Sequence, residues 1–485
     1  MHYDLAILGA GAAGMMAAVA AAEQTLDPAT GKSRLRIAIF EKNTQPGVKV
    51  LVCGGGRCNF TNAGSVDFLI EQFGRNGRFL TPALRHLDND GLRDWFASQN
   101  VPSHEEHDGK IYPDSNQAKS IVNALVTRMR TLGVEIFTGP AGTITHVYRT
   151  GGNETTEDTE STEKKNTNPF SVPSVSSVVN FGLTTANNDA HTAHTLLLAV
   201  GGMSYQRMGT TGDGYTFAQS LGHSIVTPRP AIVALLVKEE WVKELQGLAV
   251  EEVEVKILVT GTLPTLATGR PTPTINDLLF THFGLSGPAI LNPSEIVAEL
   301  LEKFDTITLR IDFAHHLAYE EVAATLRAWQ QHEGKKLIRK MLALPSMNNE
   351  QSKMKNKNSL SLPTRLAEKF CELEQIPPEQ SCSTLTAAQI HRLTERLKNS
   401  RFTVHATRGF KEAMVTAGGI KLSEVDPRTL ESKITPHLFL TGEVLDLTGP
   451  SGGYNLQLAF STGHLAGTTI GQRAMEMGQG DNVTR

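Results

Sequence analysis

Cysteine is scarce in this chain, with four residues (Cys53, Cys58, Cys371 and Cys382) among 485. That is too few for a disulfide framework. Cys53 and Cys58 also lack a matching second pair to complete a zinc site, so no metal is expected. Charge of one sign is lacking as well: a formal net charge of −4 gives no global basic signature, and any grip on nucleic acid has to come from a local patch. The three tryptophans are too scattered to make a base-stacking surface. No apolar run is long enough to span a bilayer, so no membrane association is expected. The apolar start lacks the basic leading region of a signal peptide, which points to a cytoplasmic protein. A hydrophobic content of 40% with 20% charged residues describes a soluble globular chain with room for two or three domains.

What is present begins at residue 4. Leu5-Ala6-Ile7-Leu8 reads as a buried strand running into Gly9-x-Gly11-x-x-Gly14, with Ala12 and Ala13 between the last two glycines and an alanine-rich helix beyond. Gly9 permits the tight turn, Gly11 lets the backbone approach a pyrophosphate, and Gly14 lets helix and strand pack closely. The phosphates then sit on the free N–H groups of the helix start. Glu41 closes the next strand, Ile37–Phe40, where a carboxylate can accept hydrogen bonds from an adenosine ribose, and Lys42 adjoins it. Strand, glycines, helix, strand and acid in that order predict a dinucleotide site for FAD or NAD.

The other end of the chain separates the two cofactors. Leu438-Phe439-Leu440-Thr441-Gly442-Glu443 reads as a strand ending in glycine and a carboxylate. Gly449-Pro450-Ser451-Gly452-Gly453-Tyr454-Asn455 follows, and Leu456–Ile470 is helix-compatible. A flavin needs a second anchor for its ribityl-isoalloxazine half, which NAD does not. Glu443 is placed to accept a ribityl hydroxyl. The N–H groups after Gly453 are placed to stabilise negative charge on the N1/O2 edge of a reduced flavin. The plainer alternative is a strand-loop-helix unit that completes the sheet. FAD is the better reading.

Between these ends the pattern changes twice. Residues 1–229 read as the first part of a Rossmann-like α/β domain, with a glycine-dense irregular loop at 46–62 and a polar, disordered surface loop at 149–178. Leu196–Val200 is a further buried strand that runs into Gly201-Gly202, and Gly201 joins the expected cofactor residues. Residues 230–314 form a β-rich inserted domain. Residues 315–400 are helical, with a flexible polar stretch at 346–361. Residues 401–485 hold a return strand and the second part of the cofactor domain. No second Gly-x-Gly-x-x-Gly follows a strand, so NAD(P)H is expected to dock transiently as electron donor. Across residues 315–401, 14 Lys+Arg face 9 Asp+Glu, an excess of +5, which leaves −9 for the rest of the chain. Lys335, Lys336, Arg339 and Lys340 cluster there, with Lys353, Lys355 and Lys357 close behind. The cluster suits a grip on phosphate backbone as well as it suits an ordinary solvated helical face.

Four separated motifs carry a resemblance. Cys53–Asn62 (Cys-Gly-Gly-Gly-Arg-Cys-Asn-Phe-Thr-Asn), Gly209–Tyr215, Phe280–Pro288 (Phe-Thr-His-Phe-Gly-Leu-Ser-Gly-Pro) and Gly442–Gln457 resemble the BaiN/YhiN-like flavoproteins, over nearly the whole chain apart from 149–178 and 346–361. Val48 stands where arginine is common in that family, Cys53 where serine is common, Val200 in what is usually Ala-Thr-Gly-Gly, and Gln206 in place of a frequent proline. The resemblance implies FAD, a two-part Rossmann-like domain and an inserted β-barrel bearing a helical subdomain. It also implies reduction of carbon–carbon double bonds: the enone of oxidised bile acids in one branch, a uridine of large-subunit ribosomal RNA in another.

Such a reduction needs a hydride for the carbon β to a carbonyl and an acid for the α carbon. Cys58 and His282 are the candidate acids. Each has a plain alternative, loop packing for Cys58 and a hydrogen-bonding role in a turn for His282. Lys49 and Arg57 could bind flavin phosphate, flavin O2/N1 or a substrate oxygen, or be solvated loop charges. Asp446 and Asn455 could fix loop and flavin by hydrogen bonds. Three readings follow: an NAD(P)H-dependent FAD enzyme making dihydrouridine in 23S ribosomal RNA, a reductase or oxidase of a small enone or amino ketone, and an RNA-binding flavoprotein whose FAD is structural. The oligomeric state is open.

Overall fold

A computed structural model describes residues 1–150, 180–259, 266, 272–343 and 360–480. The polar stretches expected at 149–178 and 346–361, with Lys353, Lys355 and Lys357, fall outside the described residues except at 149–150 and 360–361. The chain forms two compact units, Met1–Pro228 with Gly418–Arg485, and Arg229–Ala417.

The first unit is built on a seven-stranded sheet in the order Glu135–Thr138, Ile37–Glu41, His2–Leu8, Ala190–Leu198, Asn180–Thr185, Ile144–Thr150, with Leu438–Leu440 also paired to Ala190–Leu198. The central strands are parallel and nearly continuous apolar runs, as strands covered on both faces must be. Their register aligns their ends: Leu8 faces Phe40 on one side and Leu198 on the other, and Leu198 faces Leu440. The segments that follow these four residues therefore leave the sheet along one carboxyl edge, where open α/β sheets bind ligands.

The N-terminal helix, Ala12–Gln24, is buried on every side from Ala12 to Ala22. Its alanines are explained by its partner, the C-terminal helix Tyr454–Gly480. Gly463, Gly467 and Gly471 recur there at four-residue spacing. A Cβ added to Gly463 would lie 2.2 Å from the Ala13 carbonyl oxygen, one on Gly467 2.3 Å from that of Ala17, and one on Gly471 2.5 Å from Gln24 Cβ. The two helix backbones touch, and alanine on one side against glycine on the other is what permits it.

The same C-terminal helix carries a titratable group. His464 lies 5.0 Å, ring to ring, from His86, which approaches Thr468 Oγ1 at 3.3 Å. Burial, and then the charge of His86, push His464 down to about 4. Unfolded, it would titrate near 6.5, so below that pH the unfolded chain binds the extra proton and the folded one does not. This contribution is complete above pH 6.5 and is lost as pH falls from 6.5 towards 4, by at most about 1.4 kcal/mol per pH unit. Urea unfolding at pH 7 and pH 5 is expected to show a shallower pH dependence in His464→Gln than in the parent. Equal slopes would mean that His464 does not carry the effect.

The second unit is a closed barrel in the order Leu235–Val237, Gly284–Ser286, Thr274–Phe280, Ala249–Leu258, Ile307–Asp312, Ser400–Thr407. Inward residues alternate along each strand, among them Val253 and Val255, Leu278 and Phe280, Leu309 and Ile311, Phe402 and Val404, all buried. Helices Tyr319–His332, Ile338–Leu342, Thr364–Leu373 and Ala387–Lys398 share this apolar core. At their junction with the barrel Lys398 is paired with Asp312 at 2.7 Å and donates to the carbonyls of Ala314, at 2.9 Å, and Leu317. The architecture is thus a discontinuous Rossmann-like domain with an inserted barrel and helical subdomain.

Two local expectations need correction. The return to the cofactor domain was placed at residue 401, but Ser400–Thr407 pairs with both Ile307–Asp312 and Leu235–Val237 and closes the barrel, so the first unit resumes at Gly418. Residues 46–62 are not wholly irregular either: Val48–Val52 is a short helix and Cys53–Gly56 a 3-10 turn. Five residues, Val-Lys-Val-Leu-Val, followed by a cysteine and three glycines carry too little periodicity to announce a helix of barely more than one turn.

Candidate functional site

The three N-terminal glycines have separable geometric duties. Gly9 has φ +95°, and a Cβ there would meet the Ala199 carbonyl oxygen at 2.5 Å. At Gly14 a Cβ would fall 1.9 Å from the Gly9 oxygen, so helix and turn are in backbone contact. Gly11 differs from both. It caps the helix in an extended conformation (φ −81°, ψ −169°), and nothing lies within 4 Å of where its Cβ would be. The space beside Gly11 at the helix start is open, as the approach of a pyrophosphate requires. Ala12 and Ala13, just inside the helix start, are small and buried.

Glu41 stands at the end of the neighbouring strand, 8% exposed. Its Oε2 accepts from Ala10 N at 2.9 Å, and its Oε1 from Asn43 N at 2.9 Å and Asn43 Nδ2 at 2.7 Å. The carboxylate therefore ties the glycine turn to the next loop. Lys42 turns instead to Asp213 and Thr211, 2.5 Å from each. Burial alone would raise the Asp213 carboxyl, but hydrogen bonds from Lys42 and Thr211 outweigh it and hold it below its ordinary range.

Farther along the same edge a second group gathers. Lys49 Nζ lies 2.5 Å from Glu443 Oε2 and 2.7 Å from Ser204 Oγ, and Ser204 donates to Glu443 Oε1 at 2.6 Å. Both carboxylate oxygens are thus oriented by a cation and a hydroxyl. Gly201 (φ +73°) brings its backbone to within 3.8 Å, measured from its would-be Cβ, of Glu443 Oε2. Gly442 (φ +75°) makes the turn that presents Glu443 and donates its N–H to Thr462 Oγ1 at 3.1 Å. Ser204 was missed in the sequence; its only signal is a hydroxyl two residues past Gly201-Gly202.

The loop before the C-terminal helix is rigidly held. Asn455 accepts from Gly449 N at 2.9 Å and donates to the carbonyls of Gly449 and Pro450 at 2.8 and 3.2 Å. A Cβ on Gly453 (φ +95°) would strike the Thr61 oxygen at 2.4 Å, so this loop lies directly on Asn59–Thr61. Tyr454 is buried, which pushes its hydroxyl up. Asn59 Oδ1, Thr61 Oγ1, Tyr215 OH and Thr441 Oγ1 are among the eight buried side-chain polar atoms of this unit that have no hydrogen-bond partner among the described residues. Buried groups of this kind carry a free-energy cost unless something polar meets them, and a bound dinucleotide fits that need.

Other expected residues lie elsewhere. Arg57 is engaged by Glu106 through both terminal nitrogens and by Asn116 Oδ1, 2.9 Å from its Nε, and lies 4.2 Å over the Tyr112 ring. It is a bound structural cation and not a solvated one. Its hydrogen bonds in turn hold the Glu106 carboxyl below its usual range. Cys58 is 0% exposed, and burial pushes its thiol well up, so it remains protonated inside the core. His282 belongs to the barrel unit, where it is exposed with its ring 4.8 Å from that of Phe283. It does not hold its turn. Thr281 does, donating to the Gly284 carbonyl at 2.8 Å and accepting from Gly284 N at 3.1 Å.

Among the described residues no group of three or more His, Cys, Asp or Glu is arranged to hold a metal ion, and no helix is long and apolar enough to cross a membrane.

Comparison with known proteins accords with this geometry. The chain is 28% identical over 469 residues to the 3-dehydro-bile acid delta(4,6)-reductase of Clostridium scindens, covering 97% of this chain and 99% of that one. It is 28% identical over 472 residues to the ribosomal RNA dihydrouridine synthase of Escherichia coli, covering 95% and 96%. Among solved structures, the 3-ketosteroid delta1-dehydrogenase of Sterolibacterium denitrificans overlays with a TM-score of 0.46 at 10% identity, covering 97% of this chain and 100% of that one. The family described as the HI0933-like protein Rossmann domain matches residues 3–172 and 169–469. With both halves of the discontinuous domain inside that match, the chain belongs to the HI0933-like Rossmann family.

Proposed function

We propose that this oxidoreductase binds FAD along the carboxyl edge of its sheet and uses NAD(P)H to reduce an activated carbon–carbon double bond, that of a uridine in 23S ribosomal RNA. The observation that carries the reading is the convergence, on one edge, of the open space at Gly11 and the Lys49–Ser204–Glu443 cluster. When bound, FAD supplies the hydride for the carbon β to a carbonyl. The chain's residues then divide the remaining work. Gly11 and the N–H groups behind it would take the pyrophosphate, and Glu41 would accept from the adenosine ribose hydroxyls. Glu443, held by Lys49 and Ser204, would accept from ribityl hydroxyls. The N–H groups after Gly453, in a loop fixed by Asn455, would stabilise negative charge on the flavin's N1/O2 edge. Of the two candidate acids, Cys58 is buried in the sheet-containing unit and His282 is exposed on the barrel unit.

Two observations bear on the substrate. Relatives from Escherichia coli and Haemophilus influenzae are named as ribosomal RNA dihydrouridine synthases. Lys335 and Lys340 are exposed in the helical region that carries the positive excess. Many cations there are spoken for, however. Lys336 pairs with Glu333, Arg339 with Glu368 and Glu379, Lys369 with Glu244 and Glu372, and Arg396 with Glu374. That pairing favours a second reading, a small-molecule enone, which needs no phosphate grip.

Mass spectrometry of 23S ribosomal RNA from cells with and without the gene distinguishes them. One dihydrouridine is expected to vanish in the deletion and to return with the intact gene but not with Gly11→Glu. An unchanged nucleoside profile would discard the RNA substrate and direct assays to small enones.

A further inference from the structure

The four cysteines, too few for a framework, are grouped in the structure. Cys53 and Cys58 are joined by a backbone hydrogen bond, and Cys371 and Cys382 share the core of the barrel unit. Cys371 and Cys382 are both buried, but the first pair is asymmetric: Cys58 is buried and Cys53 is half-buried.

The backbone between Cys53 and Cys58 is folded into a closed loop. Cys58 N donates to the Cys53 carbonyl at 3.0 Å, and the loop so closed holds Gly54, Gly55, Gly56 and Arg57. The three glycines have φ of +56°, +66° and +88°, and Cys58 itself is left-handed at +64°. With Cys58 N 3.0 Å from the Cys53 oxygen, the covalent bonds on either side keep the two Cα atoms within about 7 Å of each other, the outer limit of what a disulfide can bridge. Room to adjust is present, since nothing lies within 4 Å of a Cβ on Gly55 and only the Leu51 oxygen, at 3.9 Å, near one on Gly56. Cys53 Sγ now donates to the Lys49 carbonyl at 3.2 Å, so the thiol is bonded to the residue whose ammonium grips Glu443.

We propose that Cys53 and Cys58 form a reversible dithiol–disulfide pair that exchanges with a low-molecular-weight disulfide such as oxidised glutathione. Cys53, the half-exposed member, loses its proton and attacks one glutathione sulfur, breaking the S–S bond and releasing one reduced glutathione. Cys58 then attacks Cys53 in the mixed disulfide, forms the Cys53–Cys58 bond and releases the second. Two protein thiols are oxidised, one glutathione disulfide is reduced to two thiols, and the two protons end on the departing glutathiones. Burial pushes Cys53 up to about 11, so the exchange is slow at neutral pH and quickens as pH rises. Oxidation takes away the bond from Cys53 to the Lys49 carbonyl and so couples redox state to the Lys49–Glu443 pair. The inference is independent of the substrate.

The test uses the full-length protein, equilibrated in glutathione buffers from fully reduced to fully oxidised, acid-quenched, unfolded, alkylated and digested with trypsin. Cleavage after Lys49, Arg57 and Arg75 places the two cysteines on separate peptides, 50–57 and 58–75. In reducing buffer both are expected singly and alkylated. In oxidising buffer they are expected joined, two hydrogens lighter than their summed masses, while Cys371 and Cys382 stay alkylatable. In Cys53→Ser, Cys58 is expected to be alkylated at every ratio. Separate alkylated peptides throughout, or glutathione retained on Cys53 without the joined species, would overturn the proposal.

Discussion

Gly11→Glu is expected to leave the protein folded and to weaken FAD binding by at least about 100-fold, some 2.8 kcal/mol. The fold tolerates the change because Gly11 has an extended backbone that any residue adopts and open space where a side chain would start. Binding does not, because the new carboxylate occupies the approach to the helix N–H groups and sets like charge against a pyrophosphate. Gly14→Ala supplies the contrast. There even a methyl group lands 1.9 Å from the Gly9 oxygen, so both the fold and binding should fail. Fluorescence titration of the apoprotein with FAD, beside circular dichroism of each variant, reads the two effects separately. A Gly11→Glu protein that binds FAD at parental affinity would remove the dinucleotide site from this edge of the sheet.

Gly467→Leu is expected to lower the thermal midpoint of the sheet-containing unit by roughly 6–12 °C, corresponding to about 3 kcal/mol. Helix propensity points the other way, since replacing a helical glycine gains up to about 1 kcal/mol. Packing wins because a Cβ at this position lies 2.3 Å from the Ala17 carbonyl oxygen, which is helix backbone and cannot turn aside. Gly471→Ala should destabilise as well, since its Cβ would lie 2.5 Å from Gln24 Cβ, which the helix backbone fixes, and 3.0 Å from the Ala21 carbonyl oxygen. A stability gain in Gly467→Leu would mean that the helices separate without penalty and that their close approach is incidental.

These helices also mark the limit of what the sequence discloses. Gly9, Gly11, Gly14 and Glu41 were readable because they sit at fixed offsets around one strand, and the structure gives each glycine its own steric duty. Gly463, Gly467 and Gly471 fall at equally regular offsets, but their meaning depends on Ala13 and Ala17 some 450 residues earlier in the chain. Nothing local announces that partnership. The Lys49–Ser204–Glu443 group was half legible for the same reason: Lys49 and Glu443 stood out beside glycines, while Ser204 gains its role only when three distant segments meet. Arg57 reads from the sequence either as a ligand for flavin or substrate or as a solvated loop charge, because Glu106 and Asn116, which hold it, are about 50 residues away. The barrel boundary was misplaced because its closing strand, Ser400–Thr407, follows directly on a helix and resembles the start of the next α/β segment.

The closeness of the first and last helices has a consequence for how the protein is made. Ala12–Gln24 leaves the ribosome some 450 residues ahead of the glycine face that covers it. At about 5–20 residues per second the wait is on the order of half a minute. Throughout that time the apolar Ala12–Ala22 stretch of the helix lacks its cover. The barrel unit is contiguous, runs from Arg229 to Ala417, and can close before the sheet it interrupts. Chains truncated after Ala417 and released from the ribosome are therefore expected to resist protease within the barrel and to be cut within the first 150 residues, where the first helix lacks its cover.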